Sequence, residues 1–308
     1  MFNKNTGSTI YPNKKKDNRL RTTHRLSILK NLGFYKKLPD NCNISRAITP
    51  NQLEKALRLV YKIFIQKGYI FKKPSGIKIR PHDTCSNNPT FIGLKESDII
   101  AVCGIVIDSI DLGLPADKIF YKELSYLRAN SRLICEATNG AISGLNKENG
   151  IFITEMLRCV IAYALYQNCD KIVICVNKCH KAFYKFNYFK QIGSLRSYSQ
   201  NIYDPVIMLC LDLNYLLYLS SSIDRQSNPV DTFLIDYLYF KNPYLLLVEL
   251  WSYMAQEQFK NIEKLISLFT KCPELFTEAS QIELQAMENR LGLQAFDRLL
   301  TYQTASGF

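Results

Sequence analysis

The amino-acid sequence predicts an α+β core followed by an all-helical region. Between residues 47 and 213, segments of helical period alternate with short runs rich in Ile and Val. One of those runs, Lys171–Val176, is continuously apolar, the pattern of a strand covered on both faces. After residue 213 the strand signals fade and helical periodicity takes over.

The elements follow in order. Thr49 reads as an N-cap with Pro50 at the first helical position, and Leu53, Ala56, Leu57, Val60, Ile63 and Phe64 recur at helical spacing until Gly68. Lys72 to Pro89 reads as a loop with a short strand at Ile77–Arg80. Phe91–Leu94 and Ile99–Ile107 read as strands joined by a turn at Glu96-Ser97-Asp98. A loop at Gly113–Asp117 leads into a helix over Lys118–Ala129. A strand is expected at Arg132–Thr138, then a glycine-containing loop over Asn139–Gly150 and a long helix over Ile151–Asn168. After the apolar strand come a helix at Lys178–Tyr188 and strands at Ile192–Tyr198 and Val206–Leu213. Ser220-Ser221-Ser222 and Asp224–Pro229 read as a linker, and helices are expected over Tyr244–Gln256, Phe259–Phe269 and Glu278–Leu300. The resulting division is a basic, flexible tail at 1–46, a core at 47–213 and a helical extension at 214–308.

Composition narrows the function classes. The 308 residues are 47% hydrophobic, enough for a packed core. The formal charge is +12, but residues 1–46 hold eleven Lys and Arg against Asp17 and Asp40, which leaves the rest near neutral. A basic tail attracts polyanions in general, including an anionic membrane surface. No helix-turn-helix, zinc or aromatic-platform signal accompanies it, so nucleic acid is a minor option. Neither a signal peptide nor an apolar run of membrane-spanning length is visible. The ten cysteines form no Cys-x-x-Cys pair. They read as reduced thiols of a cytoplasmic chain. Cys175, Cys179 and His180 lack a second ligand pair at zinc spacing, so no metal site is expected.

Two stretches carry a resemblance. The first runs Gly113-Leu114-Pro115-Ala116-Asp117, then Tyr121 to Arg128, then Cys135-Glu136-Ala137-Thr138. The second is His180-Lys181-Ala182-Phe183-Tyr184 followed by Tyr188 to Gly193. With the order of elements, they resemble the long-chain N-acyl amino acid synthases, GNAT-fold acyltransferases related to the acyl-homoserine-lactone synthases. The resemblance covers residues 49–213 and implies a GNAT-like three-layer α/β/α core with a mixed sheet. It also implies that a long fatty acyl chain passes from the phosphopantetheine arm of acyl carrier protein to the α-amine of an amino acid, with no cofactor held permanently. One departure stands out. In that family a basic residue follows the strand that ends in Glu, and here Asn139 takes its place.

Acyl transfer from a thioester to an amine needs a base, an oxyanion cradle and a proton for the leaving thiolate. The resemblance places the base at Glu136. Backbone groups of Ala137 and Thr138 are candidates to hold the pantetheine amides, and Tyr184 to protonate the thiolate. His180, Glu123 and Arg128 are candidates for substrate contact, Arg128 as the clamp on the acceptor's carboxylate. Each has a plainer alternative: a strand-end ion pair, a core aromatic, a helix cap, a solvated helix face. The Gln/Arg-x-x-Gly-x-Gly/Ala phosphate loop of coenzyme-A-using relatives is missing from 139–150. Lys147, Lys178, Lys181, Lys185 and Lys190 could instead dock an acidic carrier protein. The alternatives are a catalytically silent binding module of the same fold, or a coenzyme-A-dependent N-acetyltransferase.

Overall fold

The computed structural model describes residues 25, 27–144, 149–198, 205–223, 228–259 and 262–305. A seven-stranded sheet has the order β1 (Cys42–Arg46), β2 (Thr90–Lys95), β3 (Asp98–Ile107), β4 (Ile134–Ile142), β5 (Lys171–Asn177), β7 (Val206–Asp212), β6 (Lys190–Gln191). Every neighbouring pair is antiparallel except β4 and β5, which are parallel and joined through helix α3 (Asn149–Tyr166). The sheet is therefore mixed, with helices on both faces, as in the GNAT fold.

Helix α1 (Pro50–Gln66) starts where the sequence places it. Thr49 Oγ1 accepts from Gln52 N–H, and Gln52 Oε1 accepts from Thr49 N–H, both at 3.2 Å, which closes a capping box. Its Leu53, Ala56, Leu57 and Val60 are buried. They pack with Ile77, Ile79, Ile92 and Val102 on one face of the sheet. Helix α2 (Asp117–Ala129) covers the same face further along, over Val106, Ile134, Val173 and Met208. Helix α3 lies on the other face with Phe91, Ala101, Ile105, Cys135 and Ile172. Alternation along β4 thus sends Cys135 toward α3 and Glu136 toward α2.

Several boundaries differ from the sequence reading. The basic segment is not a free tail over its described part. Cys42–Arg46 is the edge strand β1, and Leu29 and Phe34 lie in the core, because apolar residues spaced between the charges find a buried face. Membrane contact through the tail falls mainly on residues 1–24, outside the described residues. β4 does not stop at Thr138 but runs to Ile142 through a bulge: Gly104 pairs with Thr138 and Val102 with Ala141, so Asn139 and Gly140 together face Cys103. Asn139 takes the left-handed conformation there, with φ 54°, which Asn tolerates better than most residues. Ile77–Arg80 is extended but pairs with no strand of the sheet. Over 190–198 only Lys190–Gln191 is a strand, with one bridge from Arg196 to Val206.

Ser220, Ser221 and Ser222 end helix α5 (Leu213–Ser222) rather than opening a linker, their hydroxyls turned back on carbonyls three or four residues earlier. Asp224 to Ser227 lie outside the described residues. The helical extension continues with α6 (Pro229–Ile235), a π turn at Asp236–Phe240, α7 (Tyr244–Phe259), α8 (Ile262–Phe269), α9 (Glu274–Glu278), α10 (Gln281–Leu291) and α11 (Leu293–Ala305). Gly292, with φ 82°, divides the single helix expected over Glu278–Leu300. Helices α5 to α7 pack with α3 on one face of the sheet, and α8 to α11 pack with α1 on the other. No helix among the described residues is long and apolar enough to cross a membrane.

Candidate active site

The parallel strands β4 and β5 part. Their pairing ends at Ala137 opposite Ile174, while β4 continues to Ile142 and β5 to Asn177. Above that point Thr138 and Asn139 line one side of a V, and Cys175, Val176 and Asn177 the other. The bulge at Asn139-Gly140 lies just beyond the last residue of β4 that pairs with β5, where such a bulge bends a strand.

Glu136 lies at the foot of the opening and is 3% exposed. Its Oε2 accepts from Ala116 N–H at 2.8 Å. Burial raises the carboxyl from 4.5 to about 7, against the pull of that N–H and of the Arg80 and Lys78 cations, with Asp117 adding to the rise. Half ionised near neutrality, such a group can take a proton and give it up again.

The first resembling stretch is what presents Ala116 to Glu136. Gly113 adopts φ 58°, and a Cβ there would come within 2.6 Å of Asp117 Oδ2. The turn it allows lets Asp117 Oδ2 accept from Leu114 N–H at 2.7 Å. Arg128 locks the turn from below. Its Nε and Nη2 donate to Asp108 at 2.7 and 2.8 Å, and its Nη1 and Nη2 donate to Asp117 at 2.7 and 2.6 Å. The guanidinium is thus committed to two carboxylates of the chain itself and is not open to a substrate's.

Glu123 is likewise occupied. It accepts from Arg196 Nη1 at 3.0 Å and Nη2 at 2.5 Å, while the Arg196 guanidinium stacks 4.8 Å from the centroid of Phe120. The pair holds the segment after β6 against α2. His180 is exposed at the end of a 3₁₀ turn, Lys178–His180, ahead of the short helix α4 (Lys181–Phe186). Tyr184, on α4, packs edge-on against Phe183 and Phe189, at 5.1 and 5.4 Å between centroids. Burial raises its phenol well above the ordinary value, so it stays protonated. It belongs to the α3 side of the sheet, opposite Glu136. Glu136, Ala137 and Thr138 are therefore together at the V, Tyr184 is behind it, and Arg128, Glu123 and His180 stand apart.

Four residues at the site escape the sequence reading. Lys78 and Arg80 alternate with the buried Ile77 and Ile79 on the extended segment after α1. Anchored by those two isoleucines, the segment brings both cations into the field of Glu136. Lys78 Nζ donates to Asn139 Oδ1 at 2.8 Å. Burial, with Arg80 adding, lowers its ammonium from 10.5 to about 7. Tyr198 and Cys175 share a hydrogen bond and both feel the Glu136 carboxyl. Burial raises the Cys175 thiol far above its usual value, so it is not a nucleophile near neutral pH. The Ile-Lys-Ile-Arg alternation was the visible signal for the first two; nothing local marks Tyr198 or Cys175.

Comparison with known proteins identifies the fold and the family. Residues 55–212, just over half of the chain, match the family model described as N-acyl amino acid synthase FeeM. The structure of FeeM, an N-acyl amino acid synthase from uncultured soil microbes, superposes with a TM-score of 0.50 at 21% identity, over 60% of this chain and 97% of that one. The acyl-homoserine-lactone synthase LasI gives 0.46 at 15% identity, over 56% and 89%. Escherichia coli ElaA gives 0.40 at 13% identity, over 56% and 98%. No curated protein sequence matches the chain. The molecule is thus an acyltransferase of the GNAT fold. Within that class, the chain belongs to the FeeM family of N-acyl amino acid synthases.

Proposed function

We propose that the protein transfers a long-chain fatty acyl group from acyl carrier protein to the α-amine of an amino acid, with Glu136 as the base. The observation that carries the reading is the buried Glu136 carboxyl, raised to about 7, at the foot of the opening between β4 and β5. The pantetheine arm lies along the unpaired edges of the V, where backbone groups of Ala137 and Thr138 meet its amides strand to strand. The acceptor's ammonium gives one proton to Glu136. The freed amine attacks the thioester carbonyl and the C–N bond forms. As the C–S bond breaks, the departing thiolate takes a proton from a phenol. The nitrogen's second proton passes to that phenol and restores it, while Glu136 gives its proton up to solvent. Tyr184 was the sequence candidate, but it packs on the far face of the sheet; Tyr198, partly exposed and beside Cys175 on the Glu136 side, is the alternative donor.

The carrier-protein donor is supported by the missing phosphate loop and by Lys178 and Lys185, which are exposed after the end of β5. Lys181, half-buried on α4, adds to the same basic surface, while Lys147 lies outside the described residues. Lys190 lies level with Val173 and over Tyr215, away from the end of β5. Mass spectrometry of lipid extracts from expressing cells tests the reading. N-acyl amino acids are expected with the unaltered chain and are lost in Glu136→Gln. Absence of any acylated amine in either strain sinks the proposal. In the purified enzyme, Tyr198→Phe is expected to lower kcat more than Tyr184→Phe; the reverse order returns the acid role to Tyr184.

A further inference from the structure

The family's basic residue after the strand-end Glu is replaced here by Asn139, yet the site does not lack a cation. Lys78 reaches the same place from another element and is tied to Asn139 Oδ1 at 2.8 Å. With Oδ1 engaged, the Asn139 amide turns its Nδ2 donor elsewhere, and that atom is buried with no hydrogen-bond partner among the described residues. Arg80 shows the same pattern. Its Nη2 donates to Asp83 at 3.2 Å, but its Nε is buried and unpartnered. Thr138 Oγ1, on the same stretch of β4, is buried and unpartnered as well.

Unsatisfied buried donors are rare in native proteins, because each carries a desolvation cost that a partner would offset. Here they occur on the stretch of β4 that follows Glu136 and on the segment that Lys78 ties to it, and the Lys78 and Arg80 cations both act on the Glu136 carboxyl. An anion with two acceptor oxygens satisfies such a set. In an α-amino acid, the carboxylate sits one carbon from the amine. A clamp next to Glu136 therefore fixes the amine in the direction of its base.

We infer that Lys78, with Arg80 and the Asn139 amide, holds the α-carboxylate of the acceptor amino acid. The inference rests on the amino-acid acceptor proposed above. Burial keeps the empty site from holding a full charge on Lys78, and an arriving carboxylate restores the ammonium. A free amine without the carboxylate brings no such partner and leaves the Lys78 ammonium with Asn139 Oδ1 and the Phe64 ring, 5.2 Å away. The site thus selects amino acids over simple amines.

The test compares amino acids with the amines that lack only the carboxylate, using the full chain and acyl carrier protein loaded with a fatty acid. The amino acid is expected to be favoured in kcat/KM by about ten- to a hundred-fold, the range of a charged hydrogen bond. In Lys78→Met that ratio falls to near one, through KM for the amino acid, and in Lys78→Arg most of it is retained. Equal acylation of both acceptors by the unaltered enzyme overturns the clamp, as does an equal loss on both in Lys78→Met. If the unaltered enzyme acylates neither, the proposed function fails, and calorimetry still decides the clamp. An N-acyl amino acid that binds more tightly than the matching N-acyl amine, only while Lys78 is present, supports it. Equal binding of the two overturns it.

Discussion

Glu136 protonates near pH 7 because burial outweighs the Ala116 N–H and the Arg80 cation. Its carboxyl goes from 4.5 in the unfolded chain to about 7 in the folded one. Between those values the folded chain holds a proton that the unfolded chain has released. The stability linked to this group is therefore intact below the lower value and is lost as pH rises to the upper one. Glu136→Gln, which keeps an acceptor for Ala116, is expected to be more stable than the unaltered chain by roughly 3 kcal/mol above pH 7 and equal to it at about pH 4. Urea unfolding at the two pH values measures this, and a variant that is less stable at the higher pH refutes the assignment. With Glu136 as the proposed base, kcat/KM is expected to rise as pH passes through about 7. The identity of this residue was legible, since a single Glu ends the β4 motif. Its surroundings were not, because Lys78 and Tyr198 come from positions roughly sixty residues away on either side.

The motif of the first stretch belongs to the scale of elements. Read as a sequence, Arg128 on a helix face beside a Gly-Leu-Pro loop suggests a substrate clamp. In the fold it is a brace: it ties α2 back to Asp108, past the end of β3, and to Asp117, and so sets where Ala116 N–H points. Sequence spacing could show that Arg128 lies on α2 but not that two carboxylates would converge on it. The consequence is measurable. Arg128→Leu leaves Asp108 and Asp117 half-buried without their cation, a loss of roughly 3 kcal/mol in stability. It also loosens the turn that holds Ala116. With that N–H less well aimed, one influence favouring the charged carboxylate weakens, so the acid limb of the pH–rate profile should move to higher pH. A variant that loses stability but keeps the profile in place would show that the brace does not reach Glu136. The bulge at Asn139-Gly140 escaped the sequence for a related reason. Its two residues look like the start of a loop, and only the pairing with β3 makes them a deformation within a strand.

Across the whole molecule, the extension is built into the core rather than appended to it. Glu155 and Arg158 on α3 are both buried, with Arg158 Nη1 donating to Glu155 at 2.8 Å. Tyr237 and Tyr244, from the extension, donate their hydroxyls to the same carboxylate at 2.6 and 2.7 Å. The Arg158 guanidinium lies 4.2 Å from the Tyr237 ring centroid and also reaches the carbonyl of Lys241. Helical periodicity announced α3 and α7 separately, yet a network assembled from four side chains across some ninety residues has no local signature. If this network joins the parts, core and extension unfold together. The chain's single Trp reports on the junction: Trp251, on α7, packs 6.1 Å from Phe91 of β2 and 6.0 Å from Tyr244. Its fluorescence and the far-ultraviolet circular dichroism are expected to change at one urea midpoint. Arg158→Met leaves Glu155 buried without its counter-ion, which costs about 3–5 kcal/mol and should lower both midpoints together. A Trp251 transition that precedes the loss of secondary structure would mean that the extension detaches on its own. The acyl site proposed between β4 and β5 would then have to stand without α5 to α7 behind it.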